Sequence, residues 1–89
     1  IAREVICLED YSKYYRLLGA NVAYFRKKRH LTQEGLALKA NVSRAHISHI
    51  EAENVHKVPS LDILFRLCSI LQIEPYQLFQ RQENEKGNG

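Results

Sequence analysis

At 89 residues the chain makes one small domain, which can bury about 60% of its unfolded surface and leaves little room for a large enzyme cleft. Hydrophobic residues at 45% and charged residues at 26% form an ordinary globular balance that argues against wholesale disorder. The net charge of +3 suits a polyanionic partner without requiring one. Cys7 and Cys68 form neither a metal-ligand spacing nor a disulfide framework, which points to a reducing cytoplasm. No apolar run approaches the ~20 residues of a membrane span.

Residues 1–10 are weakly patterned and read as a lead-in, open to being a frayed end, a strand-like arm or an extra turn against another subunit. From about Asp10 the spacing predicts a helix ending near Arg29, with Tyr11, Tyr14 or Tyr15, Leu18, Val22 and Phe25 on one face. Gly19 inside it costs ~1 kcal/mol against alanine unless another helix comes close there. The tyrosine cluster exceeds what one core face needs, and suits an exposed helix surface or a dimer contact. The run Arg26-Lys27-Lys28-Arg29-His30 places cations at the negative end of the helix dipole.

Next come two short helical patterns. Thr32 precedes the stripe of Leu36, Ala37 and Ala40, and Ser43 precedes Ile47 and Ile50, each hydroxyl standing where it can cap a free backbone N–H. Gly35 occupies the place where a reciprocal capping-box partner of Thr32 would stand. The link Ala40-Asn41-Val42 is short, and asparagine tolerates a left-handed backbone, so the two helices meet steeply. A loop from Ala52 to Pro59 follows. Ser60 opens a helix lined by Leu61, Leu64, Leu67, Cys68 and Leu71, with Asp62 in its first turn, and Cys68 reads as a small buried apolar residue. Ile73 carries the turn into a last short helix opened by Pro75, where Leu78 and Phe79 close the core. The expected organisation is a lead-in over 1–10, an all-α domain of five helices over 11–80, and a polar, flexible tail or linker over 81–89.

Two capped helices joined by a tight turn over about 32–51 form a helix-turn-helix, whose second helix lies in the DNA major groove. Leu31-Thr32-Gln33-Glu34, Leu36-Ala37, Val42-Ser43, Ile47-Ser48 and Glu51, continued by Pro59-Ser60-Leu61, Leu71, Ile73 and Leu78-Phe79, resemble the Cro/phage-repressor (XRE) family of regulators. The resemblance implies a compact five-helix, lambda-repressor-like domain. It also implies a repressor-like transcriptional regulator of bacterial or phage origin, binding double-stranded DNA as a homodimer on a near-palindromic operator. The loop departs from the family pattern: it lacks the usual glycine and reaches its proline later.

Within residues 43–49, setting aside the inward Ile47 leaves Arg44, Ala45, His46, Ser48 and His49 to face DNA. Arg44 can bond O6 and N7 of guanine together, a pairing worth ~1–3 kcal/mol of discrimination. The resemblance puts Arg44, Ala45 and His49 on base-reading positions, with His46 as a neighbour able to reach base or phosphate. It puts Gln33 on a phosphate-gripping position at a helix N-terminus, where Thr32 and Ser43 could add contacts beside their capping. Asn54 and Lys57 in the loop are further phosphate candidates. Arg26 and Glu51 match a buried ion pair that orients the reading helix without touching DNA.

His46 and His49 share a helix face, but two imidazoles are half a zinc site and no supporting ligand lies at a useful interval. No metal or cofactor is expected, and no small-molecule effector is evident. No nucleophile-base arrangement or glycine-rich phosphate loop suggests an enzyme. The alternative is a protein-interaction module, such as an antitoxin or adaptor, on the same fold. In that reading DNA binding is secondary or absent, and Arg44 and Gln33 argue against a wholly non-DNA role, because partner docking gives no reason for both at those places.

Overall fold

The computed structural model describes residues 11–52 and 58–82. They form four α-helices, α1 (Ser12–Lys28), α2 (Gln33–Ala40), α3 (Arg44–Glu51) and α4 (Leu61–Leu71), closed by a 3-10 helix (Pro75–Phe79). The last of the five expected helices is thus 3-10 rather than α. It spans five residues and opens on a proline that has no N–H to donate. Glu74 caps it, with its own N–H donating to Gln77 Oε1 at 2.9 Å.

The core takes a fully buried side chain from every element: Val22 from α1, Leu36 from α2, Ile47 from α3, Leu67 and Leu71 from α4, and Leu78 from the 3-10 helix. α1 is the spine, packing against both α3 and the 3-10 helix, while α2 bridges α3 and α4. Leu61 and Phe79, expected inside, are 68% and 47% exposed. Leu61 is the first residue of α4, at the edge of a stripe set by Leu64, Leu67, Cys68 and Leu71, and Phe79 follows the buried Leu78 and turns away. On α1 the buried face is Leu18, Val22 and Phe25, while the three tyrosines stay about two-fifths exposed.

Asn21 joins that buried face. Its Nδ2 donates to the carbonyls of Leu78 at 2.8 Å and Gln80 at 2.9 Å, tying the chain end to α1 and satisfying a polar group that would otherwise be costly to bury. Two arginines do the same for helix ends. Arg29 Nε donates to Leu71 O at 3.0 Å, and Arg66 Nη1 donates to Ala40 O, so the C-termini of α4 and α2 gain side-chain donors from neighbouring elements.

The ends of α1, α2 and α4 share one geometry. His30, Asn41 and Gln72 adopt left-handed φ of 58°, 61° and 61°. In each, the next residue's N–H reaches back five residues: Leu31 to Arg26, Val42 to Ala37 and Ile73 to Cys68, at 3.0–3.1 Å. A Cβ is crowded in this conformation, and asparagine offsets the cost with a short amide able to hydrogen-bond locally, which the longer glutamine does not. Gln72→Gly is therefore expected to raise stability by roughly 0.5–1 kcal/mol, the relieved strain outweighing the added freedom of the unfolded chain. Urea denaturation followed by far-UV circular dichroism measures it.

Candidate nucleic-acid interface

Both helices of the motif are held at their N-termini by side-chain caps. Thr32 Oγ1 accepts from Gly35 N at 2.9 Å and Ser43 Oγ from His46 N at 3.1 Å, fixing where α2 and α3 begin. Ile47 and Ile50 of α3 are sealed into the core, so its opposite face is set outward. Arg44, Ala45 and His49 lie on that outward face and are exposed, with Thr32 and Ser43 exposed at the two helix starts.

His46 is placed differently. One turn before Ile50, it falls on the flank of the buried stripe and is half-buried. Its Nε2 is enclosed, with no hydrogen-bond partner among the described residues. That nitrogen does not face outward with Arg44 and His49. Asn54 and Lys57 lie outside the described residues.

Beneath the exposed face runs a chain of polar contacts. Arg26, 9% exposed, meets Glu51 in a two-pronged pair: Nε to Oε2 at 2.8 Å and Nη2 to Oε1 at 3.0 Å. Its remaining Nη1 donates to Leu31 O at 2.8 Å. The guanidinium pKa lies above its ordinary value, chiefly because it hydrogen-bonds Glu51, with burial opposing and the carboxylate charge assisting. Planar fork on carboxylate is the geometry that best offsets the cost of desolvating both charges. It fixes the end of α3 to α1.

Glu51 Oε1 also accepts from Gln33 Nε2 at 2.9 Å. That bond settles which way the Gln33 amide points, since a carboxylate can only accept. Its carbonyl oxygen is left facing Arg44, whose Nη1 donates to it at 3.5 Å, a long contact. Gln33, half-buried at the start of α2, thus connects a buried ion pair to an exposed arginine on the first turn of α3. The part of this arrangement that sequence reasoning missed is the bond between Gln33 and Glu51. Eighteen positions separate them, and no helical period joins such residues.

Among the described residues there is no cluster of three metal-ligating side chains and no helix long and apolar enough to cross a membrane. The free thiol of Cys68 is buried, which raises its pKa, aided by the charge of Glu74.

A capped helix pair of this kind, with a buried anchor at one end of the second helix and an exposed arginine at the other, defines a DNA-binding transcriptional regulator. The chain belongs to the helix-turn-helix family, XRE type, whose model matches residues 22–78. Among solved structures it is similar to the restriction-modification controller protein C.AhdI from Aeromonas hydrophila, at 28% identity and a TM-score of 0.67 over 73% of this chain and 96% of that one. It is also similar to the hypothetical transcription factor NHTF from Neisseria, at 21% identity and a TM-score of 0.72 over 91% of each chain, a likeness of fold. Comparison with curated proteins gives no match.

Proposed function

We propose that this regulator reads a specific, near-palindromic operator as a homodimer in the cytoplasm, with α3 in the major groove. Arg44 is its principal base-reading side chain, and Ala45 and His49 face neighbouring base edges. The observation that carries this reading is the position of Arg44. It is exposed on the first turn of a capped helix, and its one described side-chain contact is the Gln33 carbonyl, itself steered by Glu51. An exposed guanidinium with one long contact at one edge keeps its other donors for the O6 and N7 of guanine.

Gln33 has a second amide hydrogen that the Glu51 bond does not use, directed to the phosphate beside the N-terminus of α2, with Thr32 and Ser43 at the same rim. Phosphate contacts of this type set register and make affinity fall with salt.

Selecting bound duplexes from a random pool, then titrating the winner, tests the proposal. Arg44→Ala is expected to weaken the selected site by ~1–3 kcal/mol, about 5- to 150-fold, and to relax preference at one guanine while leaving non-specific affinity nearly as it was. A variant that keeps its site preference would remove Arg44 from the reading role. Should the parent chain select no sequence at all, a protein-docking role for the same fold becomes the better account.

A further inference from the structure

Residues 80–82 are held against α1 in a way that reading DNA does not use. Asn21 Nδ2 donates to Gln80 O at 2.9 Å, and Gln82 Nε2 donates to the same oxygen at 2.9 Å and to Gln77 O at 3.0 Å. Bonds on both sides of Arg81 thus set its backbone as a wall beside the helix. Between that wall and α1 lies an open groove of about 540 Å³, lined by Lys13, Tyr14, Arg16, Leu17, Ala20 and Arg81. A smaller hollow of about 180 Å³ shares Leu17, Ala20 and Arg81 with it and extends to Asn21 and Tyr24. From Lys13 to Tyr24 the helix runs about 16 Å, the length of about five residues of extended chain.

Charge selects what fits there. The charged side chains lining the groove, Lys13, Arg16 and Arg81, are all cationic, and none has a carboxylate partner among the described residues. Tyr14 steadies Lys13 at the rim, with the ammonium 5.3 Å from the ring centre. The floor is apolar: Leu17 is half-buried, and one turn on Ala20 leaves a notch. Cations that serve only to solvate a helix need neither wall nor floor. Fixed cations around an apolar strip suit an extended segment with carboxylates at its edges and an apolar side chain laid between them, and a groove already in place lowers the ordering cost of binding. Duplex DNA fits less well. Its phosphates lie on a convex rod too wide to enter the groove, and Leu17 stands about 160° round α1 from Gly19, which faces α3.

We propose that the groove between α1 and Arg81 binds an acidic segment of another protein. About five of its residues lie extended, with Arg16 and Arg81 pairing to carboxylates and the strip of Leu17 and Ala20 receiving an apolar side chain. The site is on the flank of α1 away from α3, so the segment and a duplex are held at once.

The probe is a fluorescein-labelled peptide, one leucine flanked by glutamates, titrated with the full chain at low salt and followed by anisotropy. Saturable binding is expected, and none by the counterpart with lysines in place of the glutamates. Arg16→Gln with Arg81→Gln, both exposed, is expected to weaken the complex at least ~10-fold with the helical circular dichroism unchanged. Ala20→Gln fills the notch without altering charge, and is expected to weaken the leucine peptide while leaving an all-glutamate peptide nearly as before. Should the double variant fold poorly, Arg81→Gln alone, outside any helix, is expected to act in the same direction. A parent that does not bind the peptide, a double variant that binds it as the parent does, or binding indifferent to both Ala20→Gln and the central leucine overturns the proposal and leaves these cations a solvated face. Displacement of the peptide by the selected duplex overturns it too, as does loss of duplex affinity in the double variant at ~0.15 M salt, where distant charges are screened, because the groove is then a phosphate contact. The peptide is titrated against the free chain, so a parent that binds it and selects no duplex keeps this site and defeats the operator reading.

Discussion

Replacing Glu51 with alanine is expected to cost ~3–5 kcal/mol, because it leaves the Arg26 guanidinium buried with only the Leu31 carbonyl to answer it. For a domain of this size that is a fall in Tm of more than about 12 °C, and differential scanning calorimetry measures it. A change of a degree or two would mean that the pair contributes no more than an exposed ion pair does. Arg26 has a folded-state pKa raised by this pairing. Its contribution is therefore fully present below the unfolded value and lost only as pH rises through the folded one, far into alkali.

Removing both partners separates stability from function. Arg26→Met with Glu51→Leu swaps the buried charges for apolar groups of similar bulk, an exchange that is often neutral. Such a chain is expected to recover most of the lost Tm. It is not expected to recover operator affinity, since Gln33 then loses the acceptor that orients its amide, and Arg44 loses the carbonyl that amide presents. Calorimetry and duplex titration on the same sample decide between a pair that only stabilises and one that also sets the reader.

What the sequence made legible was whatever local chemistry decides. Thr32, Ser43 and Ser60 are each found as N-caps, accepting from the N–H three residues on, and Asn41 takes the left-handed turn. Each depends on one side chain and its own backbone, so a short window contains all of the physics. Stripes such as Leu36, Ala37 and Ala40 were readable for a similar reason, since helical period alone brings them to one face.

Contacts that join distant segments were not readable in this way. Asn21 shares the face of Leu18, Val22 and Phe25, but a search for apolar periodicity passes over an amide, and its partners lie some sixty residues away. Arg29 stands in a basic run, and nothing local marks either it or Arg66 as a partner for the carbonyls of Leu71 and Ala40, which end helices beside them. Arg26 and Glu51 were linked only through the family pattern, since twenty-five residues separate them. Leu61 and Phe79 failed for the opposite reason. Hydropathy marks a residue as able to be buried, and position at an element's edge decides whether it is.

The second large effect is expected at Gly19, where the need is for the absence of a side chain. Helix propensity alone favours Gly19→Ala by ~1 kcal/mol. Here, however, α1 crosses α3 backbone to backbone. An added Cβ would run into the Ile50 carbonyl oxygen and stand 3.3 Å from the Glu51 Cα. These are main-chain atoms at the end of α3, so no rotamer change can clear them and the helices must separate. Overpacking of this kind costs ~1–3 kcal/mol, and main-chain obstacles put it at the upper end or beyond, which reverses the propensity gain. At Gly35 the nearest atom to a new Cβ is Thr32 Oγ1 at 3.2 Å, a side chain able to give slightly, so alanine there costs far less. Gly19→Ala is thus expected to lower Tm, and to weaken operator binding further than its loss of stability explains. The displaced segment carries Glu51, and with it Gln33 and the carbonyl that Arg44 leans on. Thermal melts and duplex titration below the melting range test both, and a Gly19→Ala chain as stable as the parent would show that α1 and α3 are free to move apart.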